Sequence, residues 1–299
     1  VVSALALVTT LYPGVERFLP AWTDSVLAQE DKDFEVWAGL DGIAARVLEP
    51  LSGRVPVHTV DGGAGATPAS VRQAVMERAV TRHPGIVFVD ADDVLHPSRV
   101  SSARGALSRA DVSGCSLRIV DEEGVPVGAE FRPPKGASWD DLLPRYNVFG
   151  LSNSAWASET LAASLPIPRD CILTDWLLAT RAWSRGARLA FDPEPRMDYR
   201  QYAANTARVL PPFSAADVTT AARLLVAHYA LVLGGDGDGM PGAPRARIQS
   251  AASRANRFRD AIARPEVLAA YVSALNALPP LYVWWWCVAH PELEHIWNT

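Results

Sequence analysis

Three aspartates stand within four residues at Asp90-Ala91-Asp92-Asp93, directly after the apolar run Ile86-Val87-Phe88-Val89. Carboxylates this close repel one another, and at the end of a buried strand they are costly unless a cation or hydrogen-bond donors compensate them. A divalent metal does so. Hard oxygen ligands suit Mg²⁺ or Mn²⁺, which take one or two carboxylates and fill their remaining positions with water and substrate phosphate oxygens. The chemistry this predicts is the holding of a diphosphate. Taken alone, an Asp-x-Asp reads equally as a solvated acidic turn that caps the helix starting near Pro97.

The elements around this turn bring other polar residues to it. Ala4 to Val8, Phe34 to Leu40, Val55 to Val60 and Ile86 to Val89 read as strands. Glu16 to Leu27, Ile43 to Leu51 and Pro68 to about Arg82 read as helices or helical turns, with the glycine-rich loop Asp61 to Thr67 before the last of them. Such alternation predicts an α/β fold: a largely parallel, Rossmann-like sheet with helices on both faces. In open sheets of this kind ligands sit outside the carboxyl ends of the strands. Those ends carry Thr9-Thr10 with Tyr12 close behind, Asp41, and the three aspartates, so hydroxyls, a ring and carboxylates converge on one edge.

Further along, Pro97 to Leu107 reads as a helix. Segments Ser116 to Val120 and Val125 to Phe131 read as an inserted antiparallel hairpin. Asp175 to Arg185 reads as a helix capped by Thr174 and stopped by Gly186. Arg188 to Phe191 is a short predicted strand, after which Pro193 and Pro195 force an irregular path toward Tyr199. From Ser214 the pattern is helical, broken between Gly234 and Pro244. No internal repeat is evident.

Composition narrows the class. At 299 residues and 32.3 kDa the chain has room for about two domains, and 49% hydrophobic with 20% charged residues argues against wholesale disorder or a fibrous repeat. With 28 Lys and Arg against 33 Asp and Glu, the formal charge of -5 leaves no positive excess for general binding to a phosphate backbone, so nucleic acid is not an expected partner. Cys115, Cys171 and Cys287 are odd in number and widely spaced, which suggests reduced thiols and a cytoplasmic location rather than disulfides or a zinc site. No apolar run reaches the roughly 18 residues of a membrane span; Val1 to Val8 is too short and lacks the basic start of a secretion signal. The first residue is not Met, which leaves a processed start open.

The run from Ile86 to Arg99, with Arg72 upstream and Asp175-Trp176 and Tyr199-Arg200-Gln201 downstream, closely resembles the family 2 glycosyltransferases of the GT-A fold over roughly residues 4 to 208. The resemblance implies a GT-A domain over residues 1–208, with a nucleotide-binding half (1–93) and an acceptor half (94–208), followed by a helical C-terminal region over 209–299. It also implies a metal-dependent inverting transferase that moves a sugar from a nucleoside-diphosphate donor, UDP-linked or other, to a hydroxyl of a saccharide or other acceptor. Thr9, Tyr12 and Asp41 match positions that hold the base and its sugar, and Arg72 matches a helix arginine near the donor. Asp90 resembles the ribose contact, Asp92 the ligand of Mn²⁺ or Mg²⁺, and Asp93 a helper at the donor site. Asp175 occupies the position of the catalytic base, and its place in the first turn of a helix is expected to keep it ionised. Trp176, Arg200 and Tyr202 match further donor or acceptor contacts.

Three residues depart from the family pattern: Tyr202 replaces a histidine, Gln73 an asparagine and Thr174 a glutamate. Tyr202 matters most, because a phenol binds a metal or diphosphate only weakly at neutral pH; Asn205 is expected to satisfy local backbone groups. Trp176, Trp156 and Tyr146 are candidates for stacking on a sugar ring, against the commoner fate of core packing. Three adjacent indoles, Trp284-Trp285-Trp286, cannot all face one side of a helix, so domain packing, homodimer contact through the C-terminal region and contact with the inner face of a membrane are expected in that order. His290 and His295, five apart, do not make a zinc pair on one helical face. The rival readings are a catalytically weak GT-A domain that binds nucleotide-sugar or carbohydrate, and a haloacid dehalogenase-type phosphatase. The latter's Asp-x-Asp normally closes the first strand, whereas this one closes the fourth.

Overall fold

The computed structural model describes residues 4–235 and 240–298. It contains two compact units. One comprises the described residues up to Glu130 together with Phe149–Arg200; the other comprises Phe131–Val148 and the described residues from Gln201 onward. The units thus divide after Arg200, ahead of the residue 208 boundary expected from sequence, and the segment 131–148 packs with the C-terminal helices.

The first unit is built on a nine-stranded mixed sheet. Its strands are β1 (Leu5–Leu11), β2 (Phe34–Leu40), β3 (Val57–Asp61), β4 (Gly85–Phe88), β5 (Val94–Leu95), β6 (Val112–Val120), β7 (Pro126–Phe131), β8 (Ser154–Ala157) and β9 (Leu189–Arg200). Their order is β3-β2-β1-β4-β8-β6-β9-β5, with β7 paired to β6. The four strands β3, β2, β1 and β4 are parallel, as the continuous apolar runs predict; β8 is antiparallel to both β4 and β6. Helix α1 (Leu19–Leu27) follows β1, and α2 (Pro68–Val80) begins with Pro68 at its first position and a reciprocal cap between Thr67 and Ser70. Glycines set how closely helices approach. A Cβ on Gly39 would lie 2.8 Å from Val71 of α2, and one on Gly85 would lie 2.8 Å from Leu107 at the end of α3 (Arg99–Leu107), on the sheet's other face.

Strand β9 is longer than the short run predicted from Arg188 to Phe191. It continues in parallel beside β6 through Pro193 and Pro195 because the register shifts at that point, with Cys115 opposite Asp192, Ser116 opposite Pro195 and Leu117 opposite Met197. The bulge absorbs the prolines, which cannot donate to a ladder. Between β7 and β9 lie the short helices α4 (Trp139–Leu142), in the second unit, and α5 (Ser158–Ser164), followed by α6 (Thr174–Ser184).

The second unit carries α7 (Ala215–Gly235), α8 (Gly242–Ala261), α9 (Pro265–Leu275) and α10 (Glu294–Trp297); part of the break expected between Gly234 and Pro244, residues 236–239, lies outside the described residues. Ala215–Gly234 is long and apolar enough to cross a membrane, with mean hydropathy 1.3. Its buried residues Val218, Ala222, Leu225, Tyr229 and Val232 nevertheless recur every three to four positions, and α7 packs on α8, whose Ile248, Ala251, Ala252, Ala255 and Phe258 are buried.

The tryptophan trio is buried, but not on the helix against which its spacing is read. Trp284, Trp285 and Trp286 are all buried, within the second unit and outside any α-helix. The chain takes left-handed conformations at Tyr282 (φ 51°), Trp285 (φ 72°) and Ala289 (φ 48°), so successive side chains escape helical geometry. Trp284 packs on Phe131 at 4.1 Å between ring centroids, while Trp286 meets Phe213 edge-on and donates from Nε1 to the Val209 carbonyl at 3.0 Å. The three cysteines are free and buried.

Candidate active site

Parallel strands β1, β2 and β4 end together, and their ends supply the first part of the site. Thr9 is buried near the end of β1, and its Oγ1 has no hydrogen-bond partner among the described residues. Tyr12, just beyond the strand, donates its hydroxyl to Asp92 Oδ2 at 3.4 Å. Asp41 follows β2, and its amide donates to Leu11 O, which ties it to the end of β1.

The acidic turn after β4 is a true cluster. One carboxylate oxygen from each of Asp90, Asp92 and Asp93 lies within 4.8 Å of the others, with Asp92 and Asp93 buried. Ser152 donates its single hydroxyl proton to Asp90 Oδ2 at 2.8 Å. Asp93 Oδ1 accepts the Arg200 amide at 2.8 Å, and its buried Oδ2 has no hydrogen-bond partner among the described residues. Burial, followed by the charges of Asp92 and Asp90, holds the Asp93 carboxyl well above the usual range. These oxygens fit one small divalent cation. With metal–oxygen bonds of about 2.1 Å, ligand oxygens of one ion lie up to about 4.2 Å apart, so only a slight contraction is needed. When bound, such an ion would supply charge neutralisation for phosphate oxygens, with Asp92 as the expected ligand.

Arg72, on α2, lines a recess with Val8, Thr9, Thr10, Asp90 and Leu151. Its Nε, like Thr9 Oγ1, is buried without a hydrogen-bond partner among the described residues. An unsatisfied cationic donor and an unsatisfied hydroxyl in one recess are the groups an anionic oxygen ligand would satisfy.

Asp175 joins this neighbourhood through α6. Its carboxyl is pushed up to about 6, chiefly by burial; the Trp176 amide, which donates to Oδ1 at 2.8 Å, and the Arg72 charge pull it down, while the Asp90 charge raises it. The helix start does not hold Asp175 in the usual carboxylate range, because burial outweighs the amides, although a carboxyl near 6 is still mostly ionised at neutral pH. Thr174 is not the cap either. It is the first residue of α6, and Leu173 occupies the cap position with no side-chain bond.

The remaining candidates lie elsewhere in the structure. Arg200 is buried, and its guanidinium donates to the carbonyls of Asp92 at 2.8 Å and Glu122 at 2.6 Å, with its Cζ 4.8 Å from the Phe18 ring centroid. It braces the acidic turn from behind. Trp176 and Trp156 are buried in the core and present no open face for a sugar, whereas Tyr146 is only half-buried, in the second unit. Tyr202 also belongs to the second unit, where its amide donates to Asn205 Oδ1 at 2.5 Å, the local backbone role expected of Asn205. Sequence reasoning missed Ser152, whose contact with Asp90 spans 62 positions and carries no local signal.

No protein-family model matches the chain, and no curated protein sequence matches it significantly. Solved structures do. Residues 1–349 of S. aureus TarS match 89% of this chain and 74% of their own, with TM-score 0.59 and 12% identity. The same region in complex with UDP-GlcNAc matches 90% and 86%, with TM-score 0.55 and 12% identity. The mannosyltransferase PcManGT of Pyrobaculum calidifontis, in complex with GDP-Man and Mn²⁺, matches 92% and 76%, with TM-score 0.59 and 16% identity. The chain shares their fold. A mixed sheet flanked by helices, with further helices after it, is the architecture they have in common with it.

The shifted Asp175 carboxyl gives a pH expectation. A group acting as base must be deprotonated, so a rate that depends on Asp175 falls about tenfold per pH unit below about 6. For stability the sign is opposite. The folded protein binds this proton more tightly than the unfolded chain, so the contribution is fully present below about 3.8 and is lost as pH rises through about 6. A pH–rate profile checks the first; an acid limb centred below 5 would exclude Asp175 as the group that titrates.

Proposed function

We propose that this chain is a metal-dependent inverting glycosyltransferase of the family 2 type, which moves a sugar from a nucleoside-diphosphate donor to an acceptor hydroxyl. The observation that carries this reading is one neighbourhood containing a three-carboxylate cluster, an arginine and a hydroxyl with unsatisfied buried atoms, and a carboxyl pushed up to about 6. Binding of UDP-GlcNAc and of GDP-Man with Mn²⁺ by proteins of this fold supports a nucleotide-sugar as the ligand.

In this reading Thr9, Tyr12 and Asp41 hold the base and its sugar, Asp90 the ribose, and Arg72 the diphosphate. Asp92, oriented by the Tyr12 hydroxyl and by Arg200 on its own carbonyl, is the metal ligand, and Asp93 completes the acidic turn. Asp175 takes the proton from the acceptor hydroxyl as it attacks the anomeric carbon from the face opposite the diphosphate. A carboxyl near 6 suits this work, because it is mostly ionised at neutral pH yet basic enough to accept a proton in the transition state. We place the reaction in the cytoplasm, with association at the inner face of a membrane and homodimerisation through the C-terminal region as subsidiary proposals.

The test is thermal unfolding with UDP or GDP in the presence of Mn²⁺ or of EDTA. Nucleotide at 100 times its dissociation constant adds about 2.7 kcal/mol of stability. We expect an upward shift of the transition for at least one nucleotide with Mn²⁺ and little with EDTA. No shift with either, at millimolar nucleotide, would reject the reading.

A further inference from the structure

The segment that joins α5 to α6 is gripped from two sides. Arg181, buried on α6, donates from Nη1 to the carbonyls of Ser164 at 2.7 Å and Pro166 at 2.5 Å. From α2, Gln73 Oε1 accepts the amide of Ile167 at 2.7 Å, while its Nε2 donates to Glu77 Oε1 at 2.6 Å, one turn along the same helix. A second tie lies beside it: Thr67 Oγ1, at the cap of α2, donates to the Arg169 carbonyl at 2.8 Å, and Arg169 Nη2 reaches Gly65 O at 3.3 Å. Gln73 is the neighbour of Arg72, and Arg181 sits on the helix that begins at Thr174-Asp175. The same four residues, 164–167, therefore connect the helix bearing the arginine to the helix bearing the carboxylate.

We propose that Gln73 is a positioning residue for Asp175: with Arg181 it clamps the 164–167 segment between α2 and α6 and so fixes the carboxylate relative to Arg72. This rests on the reading of Asp175 as the base. The clamp explains why a glutamine serves at this position. Its longer side chain reaches an amide across the gap between helices while its other end is anchored to Glu77. The charged groups that face Asp175 are Arg72 from α2 and Asp90 from the end of β4; the Cys171 thiol nearby, pushed up to about 11 mainly by burial, is uncharged at neutral pH. Of these charges, that of Arg72 favours the ionised form, alongside the Trp176 amide, so a looser clamp weakens the favourable charge.

The test compares Gln73→Leu and Glu77→Ala with the parent, reading nucleoside diphosphate release from the donor the parent turns over. For Gln73→Leu we expect kcat to fall about 10-fold, donor KM to stay within about 2-fold, and the acid limb to move up by about half a pH unit, since sub-ångström placement governs proton transfer. Glu77→Ala removes an exposed partner and leaves the Ile167 amide paired, so it is expected to fold normally and to shift both quantities the same way, with about a 3-fold loss in kcat. The clamp is overturned if both variants lose turnover only in proportion to folded protein, with the acid limb where the parent has it. Should Asp175→Asn retain turnover, the assignment of the base fails instead. A ¹³C titration of the Asp175 carboxyl in the resting chain then decides the clamp, and an unmoved midpoint in Gln73→Leu rejects it.

Discussion

Replacing Asp175 with Asn should lower sugar transfer by about 10²- to 10⁴-fold while nucleotide affinity stays within about 2-fold. The substitution is nearly isosteric, and an amide oxygen can still accept the Trp176 N–H that Asp175 Oδ1 accepts at 2.8 Å, so the start of α6 has no reason to rearrange. What disappears is the ability to take a proton. Removing a negative charge beside Asp90 also makes the surroundings of the acidic turn slightly less repulsive to a diphosphate, so binding has no electrostatic reason to weaken. Steady-state turnover and calorimetric titration with UDP or GDP separate the two effects, and turnover equal to the parent's would remove Asp175 from the mechanism.

The second large effect is expected at Asp92. In Asp92→Ala the Mn²⁺-dependent part of nucleotide affinity should vanish, a loss of about 100-fold or more if the ion contributes a few kcal/mol at the diphosphate. The turn itself should survive, because Asp93 remains tied to the Arg200 amide and Arg200 still holds the backbone carbonyl at position 92. Removing the Asp92 charge also relieves one of the causes that hold the Asp93 carboxyl above its usual range, so the remaining pair should bind a proton less tightly. Titrations with Mn²⁺ and with EDTA on both proteins check this; a parent that binds nucleotide equally in the two conditions would defeat it.

Much of the nucleotide-binding half was legible because β1, β2 and β4 are buried nearly throughout and write themselves as apolar runs. Phe34 to Leu40 is a strand at the predicted residues, and β1 and β4 differ from expectation only at their ends. Strand β8 was not legible: Ser154-Ala155-Trp156-Ala157 is four residues long and owes its place to β4 and β6 on either side. The extension of β9 through Pro193 and Pro195 was hidden for a related reason, since only the partner strand reveals that the ladder resumes. At the site, Asp90, Asp92 and Asp93 were visible as a local cluster, and Arg72 and Asp175 entered through the order of motifs. Their supports could not be read in advance. Ser152, Gln73 and Arg200 act across 62, 94 and 108 positions, distances at which no periodicity carries information. For the tryptophan trio only the assumed helix was wrong: the left-handed turn at Trp285 lets all three indoles be buried.

The irregular middle of β9 sets a parity. Three residues of β9 have no opposite number on β6 between Asp192 and Met197, an odd count, so the side chains beyond the bulge point to the face opposite the one an uninterrupted ladder would give them. Arg200 owes its aim at the acidic turn to that count. Pro193 and Glu194 are exposed and contribute no core contact, so their identities are open to drift. Their number is not: losing or gaining one residue there would swing Arg200 away from the Asp92 carbonyl and unseat the carboxylates from a distance, with every residue of the site unchanged.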